Sequence, residues 1–298
     1  MASSDPKATN NADFQLGNLF NVQDKVALVT GGGSGIGLMA VQALAVNGAK
    51  VYIVGRTEDK LERVAETHGK GISGQIIPLV ADITSKKDIQ GLVDEISSRE
   101  KSLSILINNA GIQTSTQQGG NPTAEDFKKN LFDNETAQFD DWASIYSTNV
   151  SQLYFMTTAF LPLLQKASDA IPSFSATVIN ITSISGIVLK SQNHFAYNAS
   201  KGAANHVTRM LASEVSNSGL KVRINAIAPG VFPSEMTAGD SDENQKSALP
   251  KDKKADLPSK RPGNDRDMAN AVLFAATNQY LNGQVVPVDG GYLLAYGS

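Results

Sequence analysis

The sequence predicts an α/β fold, with a parallel sheet of about seven strands and helices on both faces of that sheet. Short apolar runs alternate along the chain with longer stretches of helical periodicity. The apolar runs are nearly continuous, as expected of parallel strands that are buried on both faces. The chain has 298 residues, of which 41% are hydrophobic. This size and composition fit one large α/β domain with a sizeable core.

Each strand is predicted where a short apolar run ends at turn-forming residues. The expected strands are 25–30, 51–54, 76–80, 103–107, 177–181, 222–227 and 285–288. Helices are predicted where apolar residues recur every three or four positions. The expected helices are 35–47, a helix that starts after Thr57, 86–98, 143–166 and 196–217. Thr57 is a good N-cap followed by two acids, and Pro162 is expected to end or kink its helix.

Three stretches interrupt the alternation of strands and helices. Residues 1–20 are polar and aperiodic, which predicts a flexible tail before one catalytic domain at 21–298. Two further polar stretches, an insertion at 114–141 and a late segment at 233–264, are rich in Gly, Pro, Asn and Lys. Loops of this length are usually functional in a compact domain. We expect the late segment to form a substrate lid.

Composition argues against several classes of function. The net charge is −3, which does not favour nucleic acid as a partner. No run of about 18 apolar residues occurs, so no membrane span is expected. Cysteine is absent, which removes thiol chemistry and fits a cytoplasmic protein. The three histidines show no ligand spacing, so no metal site is expected; His194 is interpreted as an ordinary loop residue.

The turn at 30–37 is the first functional motif. It joins the first strand to the first helix, where a pyrophosphate needs a tight turn, close backbone approach and free amides. This is typical of the Rossmann type of dinucleotide-binding unit, although a merely flexible turn is the alternative. The expected cofactor-binding residues are Gly31, Gly33, Ser34, Gly35, Ile36 and Gly37.

The end of the second strand indicates the kind of nucleotide. A site for NAD usually has a carboxylate here to hold the ribose hydroxyls. This chain has Gly55 followed by Arg56, which leaves space for a 2′-phosphate and supplies a guanidinium to pair with it. The sequence therefore predicts NADP (NADPH) as the cofactor. The alternative is that Arg56 is only a solvated residue at the start of a helix.

Over residues 22–295 the chain resembles the classical short-chain dehydrogenase/reductase family. The motifs that carry the resemblance follow the family's order: 30–37, Asp82, 108–111, Asn149, Ser183, Tyr197 with Lys201, and Pro229 with Gly230. Within the family, segments 227–237 and 289–292 are most similar to NADPH-dependent β-ketoacyl reductases of the rhamnolipid-pathway type. The resemblance implies the strand order 3-2-1-4-5-6-7. It also implies a homodimer or homotetramer built on the two long helices.

The resemblance also implies roles for individual residues. The implied catalytic residues are Asn149, Ser183, Tyr197 and Lys201. The adenosine side of the cofactor would meet Asp82, Ile83, Asn109, Ala110 and Gly111, and the nicotinamide side would meet Pro229, Gly230, Val231, Ser234, Tyr197 and Lys201. For Asp82 the alternative is an N-cap of the following helix, and Asn108 is expected to brace the sheet.

Three departures from the family pattern affect these expectations. Many relatives that use NADP carry a basic residue where this chain has Ser34, so Arg56 must carry more of the preference. The segment between Gly111 and Asn149 is longer than usual and is expected to cap the site or shape an oligomer face. The spacing between Ser183 and Tyr197 is one residue longer than in many relatives, which leaves the shape of the substrate pocket open.

Tyr197 and Lys201 lie four residues apart on a predicted helix, so their side chains share one face. A nearby ammonium and an oxidised nicotinamide would favour the phenolate, which suits proton transfer at a carbonyl or alcohol oxygen. Ser183 follows a strand and would steady that oxygen. We expect an NADPH-dependent reductase of a ketone or secondary alcohol, with a 3-oxoacyl thioester as one candidate substrate. The alternatives are a polyol, steroid or secondary-metabolite ketone reductase, or a binding protein that senses NADP without turnover.

Overall fold

A computed structural model describes residues 11–119, 123–250 and 257–297. It contains one parallel sheet in the order β3-β2-β1-β4-β5-β6-β7. The strands are β1 (Val26–Thr30), β2 (Lys50–Gly55), β3 (Gln75–Val80), β4 (Ile105–Asn108), β5 (Ala176–Ile181), β6 (Val222–Pro229) and β7 (Val285–Val288). The predicted fold class, the strand positions and the strand order are confirmed. The order reverses between β1 and β4, and in open α/β sheets such a reversal opens a crevice at the carboxyl ends of the strands.

Helices connect these strands. They are α1 (Leu16–Leu19), α2 (Gly35–Ala45), α3 (Glu58–His68), α4 (Lys86–Arg99), α5 (Ala124–Leu131), α6 (Phe139–Tyr146), α7 (Gln152–Ala170), α8 (Phe195–Asn217), α9 (Glu235–Ala238), α10 (Asp265–Thr277) and α11 (Tyr292–Tyr296). The helix expected after Thr57 is present as α3, but the Thr57 side chain does not cap it. The sequence analysis did not predict α5, α9, α10 or α11.

The core lies in two layers, one on each face of the sheet. Side chains of β1 alternate between the layers, with Val29 on the side of α2 and α10 and Leu28 on the side of α4, α7 and α8. Both residues are fully buried. Burial of both faces explains why the strands are continuously apolar in the sequence. It also fixes the sheet rigidly beneath the loops at its carboxyl edge.

The helix predicted at 143–166 is divided in the structure. Helix α6 ends at Tyr146, a π-helical segment covers Ser147–Ser151, and α7 then continues through Pro162 to Ala170. The expectation that the helix ends near Pro162 is therefore wrong. The π-helical segment is of interest because such segments are common at functional sites.

The tail and the two polar stretches contain more helix than the sequence indicates. Exposed helical turns form at Asn11–Phe14 and Leu16–Leu19, where no structure is expected. The insertion at 114–141 contains α5, whose cap Thr123 accepts a hydrogen bond from the Asp126 amide. Residues 1–10, 120–122 and 251–256, which belong to the predicted tail, insertion and lid, lie outside the described residues. Within the described ranges, no helix is both long enough and apolar enough to cross a bilayer.

Candidate active site

The expected site residues come together at the carboxyl edge of the sheet. The glycine turn follows β1, Asn109 follows β4, Ser183 follows β5, and Gly230 follows β6. These four strands are neighbours in the sheet. Parallel strands all point their carboxyl ends to one edge, so residues distant in sequence meet there.

The glycine turn is held in a tight conformation. Gly31 has φ 64° and Gly35 has φ 52°, a region that side chains with a Cβ rarely adopt. A Cβ on Gly37 would lie 2.1 Å from the carbonyl oxygen of Gly31. The Asn109 Nδ2 donates hydrogen bonds to the carbonyl oxygens of Thr30 and Gly31, each at 3.0 Å. Asn109 therefore braces the turn, a role that the sequence analysis did not assign to it.

The start of α2 lies at the site. Ser34 occupies the N-cap position without capping the helix through its side chain. Gly33 is close only to side-chain atoms of α3, and a Cβ there would meet Leu61 at 3.5 Å. Backbone amides at Gly35, Ile36 and Gly37 begin the helix, where its positive end favours an anion. This cradle fits a dinucleotide pyrophosphate because it offers backbone amides at a helix N-terminus, and glycine at 37 lets the helix pack closely against the turn.

Arg56, Asp82 and Ile83 follow the second and third strands. Arg56 is exposed at the end of β2. Two hydrogen bonds from Thr84, with a smaller contribution from the charge of Arg56, lower the pKa of Asp82. The alternative interpretation of Asp82 as a helix cap is wrong, because Ser85 caps α4 instead. Ile83 is buried in the core layer on the α4 side.

Asn108 and Ala110 complete the segment after β4. The Asn108 Nδ2 donates to Asn180 Oδ1 across 2.9 Å, so it joins β4 to β5 as expected. The Ala110 amide donates to the Thr30 hydroxyl across 3.1 Å. The turn after β4 is thereby fixed to the turn after β1.

Asn149, Gly111 and Lys201 form one contiguous group. Asn149 lies in the π-helical segment, and its side chain exchanges two hydrogen bonds of 2.9 Å with the backbone of Ile112. Its Nδ2 also donates to the Ser200 hydroxyl at 3.1 Å. A Cβ on Gly111 would meet Asn149 Oδ1 at 3.1 Å and Lys201 Nζ at 3.5 Å. Glycine at 111 thus leaves room for the backbone beside both side chains.

Tyr197 and Lys201 share one face of α8, as predicted. The Lys201 Nζ lies 5.6 Å from the centroid of the Tyr197 ring and donates to the Ile181 carbonyl oxygen at 3.2 Å. Lys201 is buried at 5% exposure, and burial lowers the pKa of its ammonium to about 8. The pair therefore sits in a poorly solvated place where protonation states respond to small changes in charge.

Ser183 lies against Tyr197. Burial raises the pKa of the Tyr197 phenol, and a hydrogen bond with Ser183 has the smaller, opposite effect. The protein by itself therefore favours the neutral phenol. The expectation that the ammonium and an oxidised nicotinamide together favour the phenolate concerns the cofactor-bound protein, and it stays a prediction.

The loop after β6 reaches back to the glycine turn. The Gly230 amide donates to the Val288 carbonyl oxygen at 2.9 Å, and a Cβ on Gly230 would lie 2.8 Å from the Asp289 Cα. Val231 continues this loop, whose later residue Ser234 lies so close to the turn that a Cβ on Gly35 would meet the Ser234 Cβ at 2.9 Å. Pro229, at the end of β6, starts the loop. The two predicted cofactor-binding loops are therefore in contact.

The insertion also reaches the site. The Gln117 amide donates to the Asn193 carbonyl oxygen at 2.9 Å, and the Gln113 side chain donates to the Met236 carbonyl oxygen at 3.3 Å. A Cβ on Gly119 would lie 3.6 Å from the Phe195 ring and 3.8 Å from the Phe127 ring. The first part of the insertion therefore contacts the start of α8, and Gln113, just before the insertion, contacts the late segment at 233–264.

Three site-side residues were not singled out as site residues from the sequence. The His194 ring lies 6.4 Å from the Tyr197 ring, and its buried Nδ1 has no hydrogen-bond partner among the described residues. Lys60 and Glu235 form an ion pair of 2.7 Å beside the glycine turn. The position of His194 between the two catalytic motifs was a signal for it, whereas nothing local in the sequence connects Lys60 with Glu235. No cluster of three or more potential metal-ligating side chains occurs in the stretches that the structure describes.

Comparison with known proteins supports the same picture. The family model described as short chain dehydrogenase matches residues 25–245. The short-chain dehydrogenase/reductase PhomF of Diaporthe leptostromiformis is 38% identical over 283 residues, which cover 93% of this chain and 94% of that protein. The rhamnolipids biosynthesis 3-oxoacyl-[acyl-carrier-protein] reductase of Pseudomonas aeruginosa is 33% identical over 277 residues, with 92% and 98% covered.

A solved structure agrees with these matches. The Pseudomonas aeruginosa RhlG/NADP active-site complex superposes with a TM-score of 0.74 and 30% identity, covering 92% of this chain and 98% of that one. Fold, site and comparisons together define an oxidoreductase that acts on carbonyl or alcohol groups with a nicotinamide cofactor. The chain belongs to the short chain dehydrogenase family.

Proposed function

We propose that this protein is an NADPH-dependent carbonyl reductase that converts a ketone to a secondary alcohol. The observation that carries the proposal is the grouping of Ser183, Tyr197 and Lys201 beside the glycine cradle. The phenol of Tyr197 is next to the Ser183 hydroxyl and lies 5.6 Å, measured at the ring centroid, from the Lys201 ammonium. Such a group is suited to moving one proton at a carbonyl oxygen next to a bound nicotinamide.

The residues present fit NADPH. The pyrophosphate would bind the glycine turn, and the exposed Arg56 would pair with the 2′-phosphate because no carboxylate follows β2. The NADP complex of the Pseudomonas aeruginosa relative supports this preference. When bound, the cofactor supplies the hydride. Its remaining proposed contacts are Asp82, Ile83, Asn109, Ala110, Gly111, Pro229, Gly230, Val231 and Ser234.

The protein's own residues would manage the proton. Tyr197 is protonated in the protein alone, so its phenol can donate to the carbonyl oxygen as the carbon accepts hydride. Ser183 would hold that oxygen by hydrogen bonding. Lys201 would bind the nicotinamide ribose and stabilise the phenolate that remains after transfer. Asn149 would maintain the geometry, since its amide joins Ile112 to Ser200 next to Lys201.

The substrate class that we favour is a 3-oxoacyl thioester. The 33% identity to a 3-oxoacyl-[acyl-carrier-protein] reductase supports it. The rings of Phe127 and Phe195 both lie within 3.8 Å of the position that a Cβ on Gly119 would take, and we propose that an acyl chain binds against these two rings. Steroid or secondary-metabolite ketones would also suit an apolar surface, and they belong in the same test.

A redox-sensing binding protein is the alternative from another class. It would hold the nucleotide without turnover and would have no use for a proton donor. The hydrogen bond between Ser183 and Tyr197, with the Lys201 ammonium 5.6 Å from the Tyr197 ring centroid, favours the enzyme.

We also propose that the active form is a homodimer or homotetramer built on α7 and α8. Exposed apolar side chains on these helices, among them Tyr154, Phe155 and Met210, support this assembly. Sedimentation would test it.

The function is tested by measuring the rates at which NADPH and NADH are oxidised by a panel of ketones, through the decrease in nicotinamide absorbance. The panel contains an acetoacetyl thioester, a longer 3-oxoacyl thioester, a ketose, a steroid ketone and an aromatic ketone. We expect turnover with NADPH, fastest with the longer thioester. Equal rates with NADH would contradict the cofactor proposal, and tight NADPH binding without turnover of any ketone would favour the sensor.

A further inference from the structure

The lid places a carboxylate directly on the glycine turn. Glu235, the first residue of α9, accepts hydrogen bonds from Lys60 Nζ at 2.7 Å and from the Ser241 hydroxyl at 2.8 Å. It also accepts a hydrogen bond from the Ser34 side chain. The hydrogen bond from Lys60 is the largest of the effects that lower the pKa of Glu235. A negative charge is therefore held beside the cradle, between the Lys60 ammonium and the hydroxyls of Ser34 and Ser241.

Lys60 reaches this place from α3. Its Cβ lies 3.8 Å from the position that a Cβ on Gly33 would take, so the side chain runs beside the glycine turn. Its ammonium and the Ser34 hydroxyl bind the same carboxylate. Ser34 stands where many NADP-using relatives carry a basic residue. Lys60 thus brings a positive charge to the carboxylate that Ser34 also binds.

We propose that Lys60 is a further specificity residue for the 2′-phosphate of NADP(H), and that Glu235 holds it until the cofactor binds. This proposal rests on the proposed function. A carboxylate oxygen of Glu235 accepts a hydrogen bond from the Lys60 ammonium, as we propose that a phosphate oxygen does when the cofactor is bound. Lysine suits such an exchange because its ammonium is a point charge on a flexible stem.

The exchange is feasible because the ion pair is only partly buried. The side chains of Lys60 and Glu235 are 44% and 36% exposed, and ion pairs with this exposure are weak. A phosphate carries more negative charge than a carboxylate. It would also pair with a second cation, Arg56, which is exposed at the end of β2. Binding of the cofactor therefore replaces a weak contact with a stronger one, and it also releases Glu235 and α9.

The test measures dissociation constants of NADPH and NADH by calorimetry and by nicotinamide fluorescence, without substrate. For Lys60→Met we expect NADPH to bind about tenfold more weakly, because one charge-assisted hydrogen bond is lost. The dissociation constant of NADH should not change. Arg63→Met is the matched control, because Arg63 is exposed on the same helix. Equal weakening of both nucleotides, or no change in NADPH binding, would overturn the role of Lys60.

The second arm tests Glu235 as the competing anion. For Glu235→Gln we expect NADPH to bind about threefold more tightly, a change within the range of an exposed ion pair. Glu243→Gln, an exposed site on the same lid segment, is the control and should leave the constants unchanged. Weaker NADPH binding in Glu235→Gln would overturn the exchange. A wild-type protein that binds neither nucleotide would overturn the proposed function as well, whereas an NADPH preference that is undiminished in Lys60→Met overturns this inference alone.

Discussion

At the scale of single residues, the candidate site depends on a glycine that has no room for a Cβ and on a charged group that is poorly solvated. Gly37 has no room for a Cβ because the Gly31 carbonyl oxygen would lie 2.1 Å away. Lys201 carries an ammonium in a place where burial lowers its pKa to about 8. Burial of the Lys201 charge reduces stability, whereas glycine at 37 is required by the close packing of the turn.

Substitution at Gly37 tests the packing of the turn. Alanine normally stabilises a helix relative to glycine, but in Gly37→Ala the added methyl would overlap backbone, and we expect unfolding free energy to fall by about 3 kcal/mol. Gly91→Ala in α4 is the control, since nothing lies within 4 Å of its added Cβ. There we expect a gain of about 0.5 to 1 kcal/mol. Urea denaturation measures both, and equal gains would show that the turn has more room than described.

The pH dependence of stability tests the burial of Lys201. The pKa of Lys201 is about 8 in the folded protein and has its ordinary value of 10.5 in the unfolded chain, so the unfolded chain binds the extra proton between these two pH values. Unfolding free energy therefore rises with pH across this window, by about 3 kcal/mol in all from this group.

Removing the ammonium should remove this rise. Between about pH 8 and about 10.5, we expect the unfolding free energy of wild type to rise relative to that of Lys201→Met. The control Lys221→Met, at an exposed site, should show the same rise as wild type. Denaturation curves at several pH values check it. Parallel curves for wild type and Lys201→Met would mean that Lys201 is well solvated.

At the scale of elements, α10 shows how a helix with a weak apolar stripe is held to the sheet. Arg223 on β6 is buried and donates to the carbonyl oxygens of Ala275, Ala276 and Leu281, at 3.1, 2.9 and 3.3 Å. Two of these residues lie in the last turn of α10 and need acceptor partners there. The guanidinium thus joins the end of a helix to a central strand, although burial lowers its pKa to about 10.

Replacement of Arg223 tests this arrangement. We expect Arg223→Met to lower the free energy of unfolding by about 2 kcal/mol, because carbonyl oxygens lose charged donors in a buried place. Arg209→Met, an exposed position on α8, is the control and should change little. A variant Arg223→Met that is as stable as wild type would show that the cost of burying the charge equals the benefit of its hydrogen bonds.

The same helix illustrates the limits of the sequence analysis at this scale. A capping box at Asn264 and Asp267 was a readable signal for the start of α10, since each side chain bonds the other's backbone amide. It lay inside a polar stretch that was interpreted as a loop. The long helix before β5 was predicted, but its π-helical segment was not, because periodicity cannot distinguish the two kinds of helix over one turn.

At the scale of the whole molecule, the parallel sheet explains which parts of the site were predictable. Strands buried on both faces produce continuous apolar runs, so all seven were readable, and the glycine motif at the carboxyl end of β1 predicted the cradle. Tyr197 and Lys201 lie on α8 and were predicted from their spacing and from the family resemblance. Contacts made only by the tertiary fold were not readable. Lys60 and Glu235 are 175 residues apart, and the bridging contacts of the insertion depend on how loops meet above the edge.

The central claim is that this edge of the sheet transfers a proton from Tyr197 while hydride moves from NADPH. The direct measurement is NADPH oxidation with a 3-oxoacyl thioester by wild type, Tyr197→Phe and the exposed control Tyr280→Phe. We predict that kcat/KM falls on the order of a thousandfold in Tyr197→Phe, with NADPH binding and the activity of Tyr280→Phe unchanged. Turnover by Tyr197→Phe at the wild-type rate would contradict the account, because the proton would then come from another group.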